Sequence, residues 1–139
     1  MLFRSWVESK INHDGSNTSV GKAVSLKVDD RIKALLLVPD NQLATAKARK
    51  LLPESISHQD AVLNSSRTAL LVHALAERPD LLFTATEDLL HQSYRAQAMP
   101  KTIALVDKLR GAGLAAVVSG AGPSVMVRSE EHTSELQSH

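Results

Sequence analysis

Cysteine is absent from the 139 residues, which excludes disulfides and thiolate metal centres. Aromatic residues are scarce: Phe3, Trp6, Phe83 and Tyr94 are the full set. A core must therefore be built from the 20 leucines, the 17 alanines and the valines. No uninterrupted apolar stretch approaches the roughly 18 residues of a membrane span, and the N-terminus carries no apolar signal core. A cytoplasmic protein with no membrane partner is the expectation. One-sided charge is lacking too. Sixteen Lys and Arg against 15 Asp and Glu leave a formal charge of +1, with no basic run and no interleaved aromatics, which argues against nucleic acid as a partner. What remains is a globular composition, 43% hydrophobic, at a length that suits one core.

Along the chain, Trp6 to Ile11 and Val20 to Val28 alternate roughly apolar and polar around Asn12-His13-Asp14-Gly15-Ser16-Asn17, which predicts a hairpin. Ile32 to Val38 is an apolar run, interrupted only by Lys33 and stopped by Pro39-Asp40-Asn41, the pattern of a buried strand. A short helix is expected over Leu43 to Leu51. A long one is expected from Ser57 or His58 to Glu77, with Asp60 in its first turn and Arg78-Pro79 at its end. Pro79 opens another, reaching about Ser93. Pro100 opens a third, closed by Gly111-Ala112-Gly113. Leu114 to Val118 and Ser124 to Val127 read as strands around Ser119-Gly120-Ala121-Gly122-Pro123. Strands, then helices, then strands point to an α+β fold in which helices cover an antiparallel sheet.

Arg67 falls on the helix face occupied by Leu63, Leu70, Leu71 and Ala74. A guanidinium there needs an anionic partner or must snorkel outward. Asp60, Asn64 and Arg67 share that face. The pattern leaves open an intrahelical Asp–Arg contact or a clamp on a carboxylate or phosphate. Arg95 is expected in the loop after a helix, where arginines are commonly solvated. His58, His73 and His91 have no ligand-like spacing, so no metal site is expected. The run Ser119 to Ser124 fits either a tight hairpin or a turn whose backbone N–H groups approach an anion. It has neither a P-loop ending nor the helix of a dinucleotide fingerprint after it.

Taken together, Val38-Pro39-Asp40 with Leu43 to Arg49 (LATAKAR), His58 to Arg67 (HQDAVLNSSR), Asp88 to Arg95 (DLLHQSYR) and Val118 to Ser124 (VSGAGPS) resemble the homoserine kinases, a branch of the GHMP kinases, in order and approximate spacing. The resemblance covers most of Trp6 to Val127 and is nearest to actinobacterial forms. The terminal Arg128 to His139 (RSEEHTSELQSH) resembles an in-frame translation of a sequencing adapter, as Leu2 to Ser5 (LFRS) resembles the end of the opposite one. The organisation expected from this is an adapter-like scar over 1–5 and remnant N-terminal-domain strands over 6–30. A GHMP C-terminal domain of ferredoxin-like type follows over 31–127, and a disordered adapter-like tail over 128–139.

The resemblance implies transfer of the ATP γ-phosphoryl group to L-homoserine, giving O-phospho-L-homoserine on the route to threonine, in an enzyme that could be a homodimer. It implies that Arg67 and Arg95 hold the substrate carboxylate and that Asn64 joins the substrate site. The turn Ser119, Gly120, Ala121, Gly122, Pro123 would form the active-site floor, with Gly-Ala-Gly-Pro-Ser where many relatives have Gly-Ser-Gly-Pro-Thr. The family's nucleotide loop, its acidic Mg²⁺ ligand and its hydroxyl-positioning Asn have no counterpart in this sequence. ATP and Mg²⁺ are thus expected with the longer enzyme. This chain should hold no catalytic residue, no metal and no activity of its own. The competing expectations are another GHMP small-molecule kinase and a stand-alone amino-acid-binding regulatory domain.

Overall fold

The computed structural model describes residues 2–130, with side chains for 12–16 and 24–130. Two antiparallel strands, β1 (Leu2–Ile11) and β2 (Asn17–Ser25), form a hairpin and a sheet of their own. The turn is held by Asp14, whose carboxylate accepts from the Ser16 amide and hydroxyl, while Gly15 takes a φ of +79°. Asp14 is thereby held below the usual carboxylate range, chiefly by the Ser16 hydroxyl. The hairpin matches the expected turn but reaches back to Leu2, so residues 2–5 belong to β1 rather than standing apart from the fold.

The second sheet has the order β3–β5–β4, antiparallel throughout, from β3 (Ile32–Leu37), β4 (Ala115–Val118) and β5 (Val125–Glu130). Two expectations fail here. The apolar run of β3 does not form a buried strand, because among the described residues β3 lies at an edge and pairs only with β5; Leu35 and Leu36 are about half exposed. Nor does a disordered tail begin at Arg128, since Arg128, Ser129 and Glu130 continue β5 and pair with Ala34, Lys33 and Ile32. Residues 131–139, the rest of that expected tail, lie outside the described residues.

Helices α1 (Thr45–Lys50), α2 (His58–Ala76) and α5 (Pro100–Gly111) form where expected. Ser57 caps α2 by accepting the Asp60 amide at 3.1 Å, and Asp60 sits in the first turn where a carboxylate favours the dipole. Pro100 opens α5, and Gly113, at φ +85°, ends it while the Leu114 amide donates back to the Leu109 carbonyl. The single helix expected from Pro79 to Ser93 is instead two short ones, α3 (Leu82–Ala85) after a turn over Pro79–Leu81, and α4 (Gln92–Arg95). Side-chain competition for the backbone explains the break. The Thr86 hydroxyl donates to the Leu82 carbonyl, and Asp88 captures the amides of His91 and Gln92.

Two apolar clusters hold this part together. One joins Ala74 and Leu75 at the end of α2 to Leu82, Ala85 and Ala115, with Val28 and Ile32 against it. The Asp29 amide donates to the Leu75 carbonyl at 2.7 Å, so residues 28–29 dock on α2 before the boundary expected at 30. The other cluster packs Val106 of α5 on Ala116, Val125 and Val127 of the sheet. Arg110 ties α3 to both: it donates to the Thr86 hydroxyl and the Phe83 and Ala116 carbonyls and lies 4.3 Å over the Phe83 ring.

Candidate functional site

A cavity of about 320 Å³ opens where α1, α4 and the end of β4 meet. Thr45 and Arg49 come from α1, Gln92 and Arg95 from α4, Asp88 and His91 from the segment before α4, and Gly120 and Ala121 from the turn after β4. Each is placed by local chemistry. Thr45 and Arg49 are four residues apart and so share one face of α1, which Ala48, fully buried, pins to the body. The Asp88 carboxylate accepts from the amides of Leu90, His91 and Gln92 and faces His91 Nδ1 at 2.9 Å. Burial by itself would raise the Asp88 carboxyl, but these bonds outweigh it and hold the group below its ordinary range. The Gln92 side chain accepts the Val118 amide at 2.6 Å, which fastens α4 to β4.

Arg95 ends α4 and is 8% exposed. It is not the solvated loop residue that its position suggested. One terminal nitrogen donates to the Gly120 carbonyl at 3.1 Å, and its Nε is buried with no acceptor. Among the described residues no carboxylate pairs with it. A desolvated guanidinium is costly until a counter-charge meets it.

The glycine-rich turn is built for close approach. The Ser119 amide donates to the Ser124 carbonyl and the Gly122 amide to the Ser119 carbonyl. Gly120 and Gly122 take φ values of +61° and +91°, and the Gly122–Pro123 bond is cis. A Cβ on Gly122 would meet Met99 Sδ at 2.7 Å, so only glycine fits. The Thr102 hydroxyl donates to the Pro123 carbonyl at 2.9 Å and anchors the turn to α5.

The expected site residues divide. Arg95, Gly120 and Ala121 line the cavity; Arg67, Asn64, Ser119, Gly122 and Pro123 do not. Arg67 and Arg95 do not converge. The Arg67 Nε donates to Glu87 at 3.0 Å, so its partner is not Asp60. The Asn64 side chain accepts the Leu89 amide at 2.9 Å. Both α2 residues thus brace the segment that carries Asp88, one step removed from the cavity. Sequence reading missed Arg49, Asp88 and His91 as cavity residues. The Asp88-x-x-His91-Gln92 spacing, a carboxylate three and four residues before two amides it can cap, was the available signal. Among the described residues no group of three or more His, Cys, Asp or Glu is placed to hold a metal ion, and no helix is long and apolar enough to cross a membrane.

Residues 66–137, just over half of the chain, match the family model described as GHMP kinases C terminal. A protein of Streptomyces coelicolor described as homoserine kinase is 47% identical over 131 residues, covering 94% of this chain and 40% of that protein. A homoserine kinase of Leifsonia xyli is 59% identical over 96 residues, 69% of this chain and 30% of its own length. The crystal structure of homoserine kinase from Cytophaga hutchinsonii superposes with a TM-score of 0.69 at 23% identity, over 81% of this chain and 36% of that one. That likeness concerns the fold. The chain spans about 40% or less of the length of these relatives.

Proposed function

This chain belongs to the GHMP kinase family, and from that membership we propose that it is the substrate-facing C-terminal part of a homoserine kinase. In the reaction, the side-chain oxygen of L-homoserine bonds to the γ-phosphorus of ATP, the bond to ADP breaks, and the hydroxyl proton passes to solvent. The product is O-phospho-L-homoserine, a step of threonine biosynthesis. The observation that carries the reading is Arg95, buried at the cavity with its Nε unpartnered. An amino-acid carboxylate supplies the missing charge and two in-plane acceptors that suit a guanidinium. Asp88 positions Arg95 by capping α4, and Arg67 and Asn64 steady Asp88 through Glu87 and Leu89. The relatives described as homoserine kinases, at 47% and 59% identity, support the choice of substrate.

The described residues do not fit Mg²⁺ or the phosphates of ATP. They offer no cluster of three metal ligands, and a strand follows the glycine-rich turn where a phosphate cradle would open a helix. Under this proposal both are held by the part of the relatives' length that this chain does not span, and the chain alone transfers no phosphoryl group. The test joins this chain in frame behind the preceding portion of the Streptomyces coelicolor relative and assays L-homoserine and mevalonate as acceptors. Phosphorylation of L-homoserine, with Arg95→Ala raising its KM about ten- to a hundred-fold and leaving that for ATP unchanged, supports the reading. Turnover of mevalonate in preference overturns it.

A further inference from the structure

His91 lines the cavity beside Arg95. The Arg95 amide donates to the His91 carbonyl at 3.2 Å, which closes one helical turn and sets the two side chains on one face. The two ring nitrogens of His91 are in different states. Nδ1 lies 2.9 Å from an Asp88 oxygen, and Asp88, held below the ordinary carboxylate range, is ionised and can only accept, so the proton belongs on Nδ1. In the neutral imidazole Nε2 is then an acceptor. Among the described residues it has no hydrogen-bond partner. The other side-chain acceptors on the wall are largely committed. Asp88 takes three amides besides the ring, which uses the roughly four positions a carboxylate has, and Gln92 takes the Val118 amide. Thr45 keeps a neutral hydroxyl, whereas Nε2 belongs to a ring hydrogen-bonded to a carboxylate.

We propose that His91 Nε2 accepts a hydrogen bond from the α-ammonium of the amino acid whose carboxylate meets Arg95. The inference rests on the substrate reading above and deepens it, from a site for an anion to a site for a zwitterion. The polarity of the wall matches: a guanidinium at one position and, one turn before it, an imidazole backed by a part-buried carboxylate. An α-amino acid bears both charges on one carbon, so its ammonium stays close to an anchored carboxylate. Side chains four residues apart on a helix face, about 5–6 Å between their Cβ atoms, can bracket that span. Asp88 acts without touching the ligand. It fixes the tautomer of the ring and strengthens Nε2 as an acceptor. An ammonium donates and cannot accept, so a ring with its proton on Nε2 would turn it away.

The experiment records the imidazole nitrogen resonances of the full 139-residue chain by NMR at about pH 8, above the range in which imidazoles ordinarily titrate. Without ligand, His91 should show a protonated Nδ1 and a bare Nε2. The reverse tautomer overturns the proposal and leaves the substrate reading standing. L-Homoserine is then compared with γ-hydroxybutyrate, which lacks the ammonium, and with L-α-aminobutyrate, which lacks the hydroxyl. Homoserine and α-aminobutyrate should shift the Nε2 signal saturably, and γ-hydroxybutyrate should bind about ten-fold or more weakly. His91→Ala should remove that preference. His91→Gln, which can offer an amide oxygen in place of Nε2, should restore part of it, and His91→Asn, which can keep only the contact to Asp88, should restore none. Recovery by His91→Asn makes the ring a structural partner of Asp88 and overturns the proposal. So does a preference that survives His91→Ala within about two-fold, while loss of homoserine binding in Arg95→Ala keeps the substrate reading. Homoserine binding lost in His91→Ala but indifferent to Arg95→Ala overturns the carboxylate reading of Arg95 and keeps His91. Tighter binding of γ-hydroxybutyrate than of α-aminobutyrate overturns the ammonium assignment. No saturable shift with any of the three up to about 50 mM overturns both.

Discussion

Arg67 in the middle of α2 and Arg95 at the end of α4 are the same residue in opposite states. Arg67 sits on a helix face that its leucine neighbours mark as apolar, yet that half of α2 is poorly covered. Val62 and Leu63 are exposed and burial begins only at Ala74. There the guanidinium reaches an anion from the next segment, and the Glu87 pair is partly solvated. Arg95 follows no apolar periodicity at all, yet it is buried, because α4 is drawn onto β4 by Gln92 and capped by Asp88. Periodicity reports which face of one element is apolar. It does not report whether anything packs there. The charge that the fold leaves uncompensated is consequently found in the short segment.

The first way to break the contrast is to remove the floor beside Arg95. Gly122→Ala forces a side chain into φ +91° and against Met99, itself 2% exposed. A loss of about 2–4 kcal/mol is expected in denaturant unfolding. Gly120→Ala, at φ +61° with open space around its Cβ, should lose only about 1 kcal/mol. Equal losses at the two positions would mean that Met99 does not brace the turn.

The next variant loosens the segment that carries Arg95. Asp88→Ala leaves the amides of His91 and Gln92 without their acceptor, and about 0.5–2 kcal/mol of stability should go. Acid should act the same way. The Asp88 carboxyl is depressed in the fold, so its contribution is complete above the unfolded value near 4 and disappears as pH falls from there through the folded value. Unfolding free energy measured between about pH 6 and 3 should fall more steeply for the parent chain than for Asp88→Asn. Parallel curves would remove Asp88 from the account.

Arg95→Met should move stability in the opposite direction. It removes a buried charge with an unsatisfied Nε at the loss of one bond, to the carbonyl of Gly120, an exposed residue. The chain without ligand should gain about 1 kcal/mol while the anion site is lost, a trade of stability against binding. A clear loss of stability would show that the bond to Gly120 outweighs the desolvated charge.

What could be read from the sequence follows the same division. The capped or proline-opened helices α2 and α5 and the hairpin turn were legible because Ser57, Pro100 and Asp14-Gly15 act within a few residues of themselves. The edge position of β3 was not, since an apolar run such as Ala34 to Val38 looks alike whether one side or both are paired. The break of the expected helix at Thr86 to Asp88 was not foreseen either, because leucines flank it and mask two side chains that compete for backbone groups. In the site, the glycine turn and Arg95 were legible as motif residues, while Arg49 and Asp88 reach the cavity only through the packing of α1 and α4.

The smallest expected effect is the most direct test of that division. Arg67→Met breaks the ion pair with Glu87, leaving a carboxylate that is 44% exposed and readily hydrated. Partly solvated pairs contribute between zero and about 1 kcal/mol, and the methionine recovers part of that by packing its stem along the leucines of α2. Thermal unfolding should therefore shift by less than about 0.5 kcal/mol equivalent, and less still at high salt, where the pair is already screened. Anion affinity at the cavity should change by no more than about two-fold, because Asn64 still accepts the Leu89 amide and holds the Asp88 segment. If Arg67→Met instead abolishes homoserine or phosphate binding while the fold stays intact, Arg67 leaves Glu87 when ligand arrives and turns to the cavity. The two arginines would then be partners rather than opposites.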